Sequence, residues 1–72
     1  MSLSANIKRL RLEKNLTQEQ LASALGITQR KYSYLETGTQ QWTDELLVRL
    51  ADYYHVSIDY LLLQTNNPTR NL

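Results

Sequence analysis

The stretch LTQEQLASALGITQRKYSYLETG, residues 16–38, decides how the chain is read, because it holds two helix starts of one kind on either side of a glycine. Leu16-Thr17 opens the first. Thr17 is placed to cap the helix, Gln20 three residues later completes a capping box, and Leu16 is spaced to staple onto Leu21. Ile27-Thr28 with Tyr32 repeats that spacing after Gly26, a residue suited to the left-handed close of the preceding helix. With side chains about 100° apart around a helix, Tyr32 and Leu35 point together, while Gln29, Arg30, Ser33, Tyr34 and Thr37 collect on the opposite arc. That arc carries amide, cation, hydroxyl and phenol but no carboxylate, although the chain has seven acidic residues to place. A face selected for solvation alone would be expected to mix both signs.

Outward from this stretch, the staple spacing recurs at Trp42-Thr43 with Leu47 and at Val56-Ser57 with Leu61. Only two glycines and one proline interrupt apolar residues that return every three or four positions, so the fold class is all-α. Five helices are predicted, over about residues 3–14, 18–25, 29–36, 44–54 and 58–63. Their expected buried residues are Leu3, Ile7 and Leu10; Leu21, Ala22 and Leu25; Tyr32 and Leu35; and Leu47, Leu50, Ala51 and Tyr54. His55 takes a helix-end position more usually given to glycine or asparagine. With 72 residues and 8.4 kDa there is room for one small domain, placed at residues 1–64. The run TNNPTRNL, residues 65–72, reads as a flexible C-terminal tail. With no cysteine, neither disulfides nor thiolate metal ligands can reinforce a core this small, which leaves packing, caps and oligomerisation.

Net charge is only +1, but it is unevenly placed. Residues 1–34 hold six cations against two carboxylates, a net +4, whereas residues 35–72 hold two against five, a net −3. A polarised molecule of this kind has a basic half suited to phosphate; ordinary scatter of charge is the alternative. No run of residues approaches the length of a membrane span and no signal peptide opens the chain, so a cytoplasmic protein is expected, associated with the nucleoid when bound to DNA. The single histidine, His55, sits at a helix end, and no carboxylate cluster or glycine-rich phosphate loop is present; the sequence therefore argues against an enzyme, a metal site or a cofactor. Asp44-Glu45 is explained by acid placed at a helix N-terminus.

The order Thr17-Gln18-x-x-Leu21-Ala22, Gly26, Thr28-Gln29, Glu36-x-Gly38 resembles the helix-turn-helix of the phage repressor and Cro family, the Xre-type regulators. LADYYHVSIDYLL, residues 50–62, is similar to the last two helices of that family, so the likeness covers nearly the whole chain. It implies a compact five-helix, lambda-repressor-like domain whose second and third helices form the helix-turn-helix, with helix 3 in the major groove of double-stranded DNA. On that reading Gln29 and Arg30 reach base edges, Gln to adenine and Arg to guanine, with Ser33 and Tyr34 as further base readers; Tyr34 either meets a thymine methyl or donates to phosphate. Gln18, Thr28, Lys31, Thr37, Thr39, Gln40 and Gln41 are the matching phosphate contacts. The family often places basic residues and a proline in the loop after helix 3, where this chain has Gln40-Gln41-Trp42. Fewer ionic phosphate contacts are expected as a result. Arg11 and Glu36 match a family pair that forms a partly buried ion pair, the alternative being two solvated surface charges.

The resemblance further implies a homodimer on a two-fold symmetric operator, with Tyr53, Tyr60, Leu62 and Leu63 as the candidate dimer surface. The same apolar residues would serve a protein partner if the chain acted instead as an antitoxin or anti-repressor. The acid-free recognition arc favours DNA over that second reading.

Overall fold

A computed structural model describes residues 3–62, which form five helices: α1 (Leu3–Glu13), α2 (Gln18–Leu25), α3 (Gln29–Thr37), α4 (Asp44–Tyr54) and α5 (Ile58–Leu61). Every element among these residues is helical, as the apolar spacing requires. Helix α5 is shorter than the expected span to residue 63. It closes at Leu62, whose N–H donates to the carbonyls of Ile58 and Tyr60. Leu63 and the tail expected at 65–72 lie outside the described residues.

Four helices begin in one way. Extended Thr17, Thr28, Thr43 and Ser57 each turn a hydroxyl back to accept from the third N–H of the helix they open: Gln20 at 3.0 Å, Lys31 at 3.1 Å, Leu46 at 3.2 Å and Tyr60 at 3.0 Å. At Thr17 the box is complete, because the Gln20 side chain accepts from the Thr17 N–H at 2.9 Å. The residues just before these caps, Leu16, Ile27, Trp42 and Val56, all pack against the core. Each cap removes an orphan N–H and contributes on the order of 1 kcal/mol.

Three connections also end their preceding helices in one way. Asn15, Gly26 and His55 take left-handed conformations at φ 58°, 74° and 57°. In each case the following apolar N–H reaches back five residues: Leu16 to Arg11 O at 3.1 Å, Ile27 to Ala22 O at 3.0 Å and Val56 to Ala51 O at 3.0 Å. Asn15-Leu16-Thr17, Gly26-Ile27-Thr28 and His55-Val56-Ser57 are therefore one device. A left-handed residue reverses the chain, an apolar residue turns inward, and a hydroxyl starts the next helix within three positions.

These tight corners let α2 pack on α3 and α4, α1 on α3 and α5, and α4 on α5. The shared core holds Ile7, Leu21, Tyr32, Leu50 and Leu61 with no exposed surface, and the Trp42 ring stands edge-on to Tyr32 at 6.2 Å between centroids. Leu3 and Tyr54, expected inside, are only partly buried, because they lie at the ends of their helices where cover is incomplete. Leu46 is buried beyond expectation, as is Asn6. Asn6 has no exposed surface: its Nδ2 donates to the Leu61 carbonyl at 2.5 Å and its Oδ1 accepts from Arg9 Nη2 at 2.5 Å. A polar side chain on the apolar stripe of α1 thus satisfies a carbonyl of the short α5 that has too few residues to satisfy it internally.

His55 occupies the position that Gly26 fills in the matching corner, and a side chain there costs about 1–2 kcal/mol that glycine avoids. His55→Gly should stabilise the domain by about 0.5–1 kcal/mol after the entropy lost by glycine is counted, raising the melting temperature by a few degrees. Thermal unfolding followed by the fluorescence of Trp42, the single tryptophan, measures it.

Candidate nucleic-acid interface

Gly26 sets the angle at which α3 leaves α2, since its N–H closes α2 on the carbonyls of Ala22 and Ser23 while its positive φ turns the chain. Helix α3 then buries Tyr32, Leu35 and Glu36 on one side. On the other side Gln29, Arg30, Lys31, Tyr34 and Thr37 are exposed, and Ser33 is half-buried at the edge of the arc. The only carboxylate of α3 is the buried Glu36, so the outward side of this helix carries no negative charge. Neither Arg30 nor Lys31 forms an ion pair with any described residue, which leaves both cations available.

The remaining polar residues named from the sequence divide by how far the fold already uses them. Gln40 and Gln41 are exposed in the loop after α3, and the Gln40 N–H donates to the Tyr34 carbonyl at 3.1 Å, holding the loop against the end of the helix. Thr37 and Thr39 share a hydroxyl contact of 3.1 Å beside that loop. The Thr28 hydroxyl is committed to the cap of α3. Gln18, half-buried at the first position of α2, donates its side-chain amide to Glu36 Oε1 at 3.1 Å, so its N–H groups are partly engaged within the protein. The sequence carries no sign of that contact, whose partner lies 18 residues away.

Glu36 is the centre of a buried polar cluster. Arg11 meets it in two parallel bonds, Nε to Oε2 at 2.8 Å and Nη2 to Oε1 at 3.0 Å, and Arg11 Nη1 donates to the Leu16 carbonyl at 2.7 Å. Arg11 and Glu36 are 8% and 6% exposed, which distinguishes this pair from the solvated pairs Arg9–Glu13 and Arg49–Glu45. Burial alone would raise the Glu36 carboxyl; the bonds from Arg11 and Gln18 more than offset this and hold it below the usual carboxylate range. The same carboxylate raises Arg11 further, so the arginine stays charged throughout. Burial pushes Tyr54 up to about 12, leaving Glu36 as the group of this cluster that titrates in acid.

The apolar residues named as a dimer surface fall in different settings. Tyr53 is 43% exposed and lines a shallow groove with Leu16, Gln20 and Ser23. Tyr60 is half-buried against the core, because it follows the Ser57 cap by one turn and faces the same way as Val56, and Leu62 is half-buried at the close of α5. Leu63 lies outside the described residues. Val48 and Ile58, 46% and 38% exposed, are the solvent-facing apolar residues of α4 and α5 that periodicity missed.

The sequence model of the helix-turn-helix family matches residues 7–61, from the middle of α1 to the end of α5. The chain belongs to that family. It is 38% identical over 64 residues to the HTH-type transcriptional regulator YqaE of Bacillus subtilis, covering 89% of this chain and 55% of that protein. It is 37% identical over 59 residues to the cryptic phage CTXphi transcriptional repressor RstR of Vibrio cholerae, covering 82% and 53%. The crystal structure of a transcriptional regulator from Listeria innocua superposes with a TM-score of 0.80 at 33% identity, over 92% of this chain and 62% of that one. The chain spans about half the length of the curated relatives it matches. Helix-turn-helix regulators are a DNA-binding, non-enzymatic class, and α2, Gly26 and α3 are the helix-turn-helix of this domain. Among the described residues no helix is long and apolar enough to cross a membrane.

Removing Arg11 would leave the Glu36 carboxylate buried and unpaired. Arg11→Ala should cost about 3 kcal/mol or more in chemical denaturation, and a loss under about 0.5 kcal/mol would reject the buried pair as a structural tie. Because the folded carboxyl is held below its unfolded value of 4.5, its stabilisation is complete above that value and is lost as the pH falls through the lower folded one. The stability gap between wild type and Glu36→Gln should accordingly narrow as the pH falls below about 4.5.

Proposed function

We propose that the chain is a sequence-specific double-stranded DNA-binding regulator that places α3 in the major groove, with Gln29 and Arg30 as its principal base readers. The observation that carries this reading is the acid-free outward side of α3, achieved by turning its one carboxylate inward to Arg11. Carboxylates on a surface that meets phosphate-lined DNA are repelled by it, so their absence favours that use, whereas a surface meant only for water has no such need. Gln29 and Arg30 stand in the first turn of α3, where a recognition helix meets base edges. Ser33 and Tyr34 follow one turn later, Tyr34 exposing 41% of its surface. The supporting phosphate contacts are Lys31, Thr37, Thr39, Gln40, Gln41 and the N-terminal turns of α2 and α3 at Gln18 and Thr28.

Two copies binding a two-fold symmetric operator is the arrangement we favour, acting as a repressor in the manner named for RstR. The domain measures 31 × 23 × 22 Å, so copies whose recognition helices lie about one helical turn, roughly 34 Å, apart come within contact of one another. Leu62 at the end of α5, with Tyr53 and Tyr60 behind it, is the surface assigned to that pairing. A protein-binding role in its place predicts no selection of DNA sequence by Gln29 and Arg30.

Selection from a randomised duplex pool at about physiological salt, with wild type and Gln29→Ala/Arg30→Ala in parallel, tests the reading. A palindromic motif that the double variant loses is expected; no enrichment by the wild type at concentrations where it is dimeric would reject it. With Lys31 as the one cation of each α3 assigned to phosphate, log Kobs should fall against log salt with a slope of about −2 for two half-sites, well short of the −10 of a strongly phosphate-bound repressor. Lys31→Ala should make that slope shallower by about 1 per half-site while leaving the selected motif unchanged.

A further inference from the structure

Two outward faces take no part in the arrangement above. On α1, Ala5, Lys8, Arg9, Leu12 and Glu13 line an open depression. Leu12 is 55% exposed, the largest fraction of any exposed large apolar residue described. It lies one turn beyond Lys8 and two beyond Ala5, so a small apolar floor is flanked by cations. The α1 face holds two cations against one carboxylate, Glu13, which is tied to Arg9. On α4, Val48 is 46% exposed and lies on one stripe with Asp44 four residues before it and Asp52 four residues after. Glu45 and Arg49 flank that stripe as an ion pair, so the α4 face holds three carboxylates against one arginine.

The two faces are complementary in chemistry and in length. Each presents one aliphatic residue on a helix of 11 residues, about 16 Å long, Leu12 in the last turn of α1 and Val48 near the middle of α4, and the net charges beside them are opposite in sign. They cannot satisfy each other within one molecule, because α1 packs on α3 and α5 while α4 packs on α2 and α5. Neither includes a residue of α3, so pairing them would leave the recognition side free. We infer that the α1 face of one copy docks on the α4 face of a second copy in a head-to-tail contact. Its two patches differ, so the contact is heterologous and repeats from copy to copy instead of closing. One helix against one helix buries far less than the roughly 800 Å² per partner of a stable interface, so the contact is weak. It gains strength where copies are held side by side, as on adjacent stretches of one duplex.

The test needs no DNA, so its failure is distinct from any failure of operator binding. Leu12→Glu destroys the α1 face and leaves α4 intact; Val48→Lys does the reverse. Isotope-labelled Val48→Lys is titrated with unlabelled Leu12→Glu to about 1 mM and followed by amide NMR, with unlabelled Val48→Lys as the control. Saturable shifts over Ala5 to Glu13 with the first partner and none with the control are expected, weakening at least about threefold from about 0.02 to 0.5 M salt. No shifts, equal shifts with both partners, or shifts away from α1 would overturn the inference. The spectra themselves report folding, and Lys8→Glu replaces Leu12→Glu if that variant does not fold.

Discussion

The bidentate bond between Arg11 and Glu36 is the constraint on which the geometry of the domain depends. It joins the end of α1 to the end of α3, and through Leu16 O and Gln18 it also holds the corner that starts α2. Hydrophobic packing is non-directional, so the core alone would tolerate small rotations of α3 against α2. Two parallel bonds between planar groups do not tolerate them. Such a pair need not raise net stability above that of an apolar replacement, and its value here lies in orientation. It also removes the one acid of α3 from the surface, so the same contact fixes the pose of α3 and the sign of its exposed face.

Around that tie, the domain is assembled from one corner used three times. A chain this short buries too little apolar area to hold loose connections. Each corner of left-handed residue, inward apolar residue and hydroxyl cap satisfies the end of one helix and the start of the next within three positions. The corner at His55 uses a residue poorly suited to the conformation, and it positions the four-residue α5, the least self-sufficient element. Asn6 compensates by reaching across from α1 to the Leu61 carbonyl. The exception to the device is the passage from α3 to α4, where Gly38 is followed by a longer polar loop, and this is the loop that stands beside the acid-free side of α3.

What could be read from the sequence follows from the range of the forces involved. Thr17, Thr28, Thr43 and Ser57 were legible as caps because a cap acts on an N–H three residues away, and Tyr32 and Leu35 as core because helical periodicity sorts near neighbours. Arg11 and Glu36 lie 25 residues apart and were paired only through a family resemblance, since no local spacing brings them together. Asn6 was missed because its partner is a backbone carbonyl, which has no letter in the sequence. Val48 and Ile58 were passed over because exposure of an apolar residue is set by what fails to pack on it. The exposed, acid-free arc of α3 was visible at once, because composition and angle around one helix sufficed.

The scarcity of cations near that arc has a further consequence for how such a domain would hold DNA. Contacts to phosphate supply most of the sequence-independent affinity of DNA-binding proteins, and each one missing lowers that background. Arg30 and Lys31 are the cations of α3, and the loop of Thr39, Gln40 and Gln41 offers dipoles where charge would otherwise stand. Binding built on base-edge bonds and few phosphate contacts discriminates well against non-specific DNA but is weak for a single copy. The shortfall can be met by engaging several copies at once, which multiplies affinity without adding charge. Segregation of basic residues to α1 and α3 and of acidic residues to α4 and α5 suits that solution, because it gives each copy an attractive surface for its neighbour while keeping carboxylates away from the duplex.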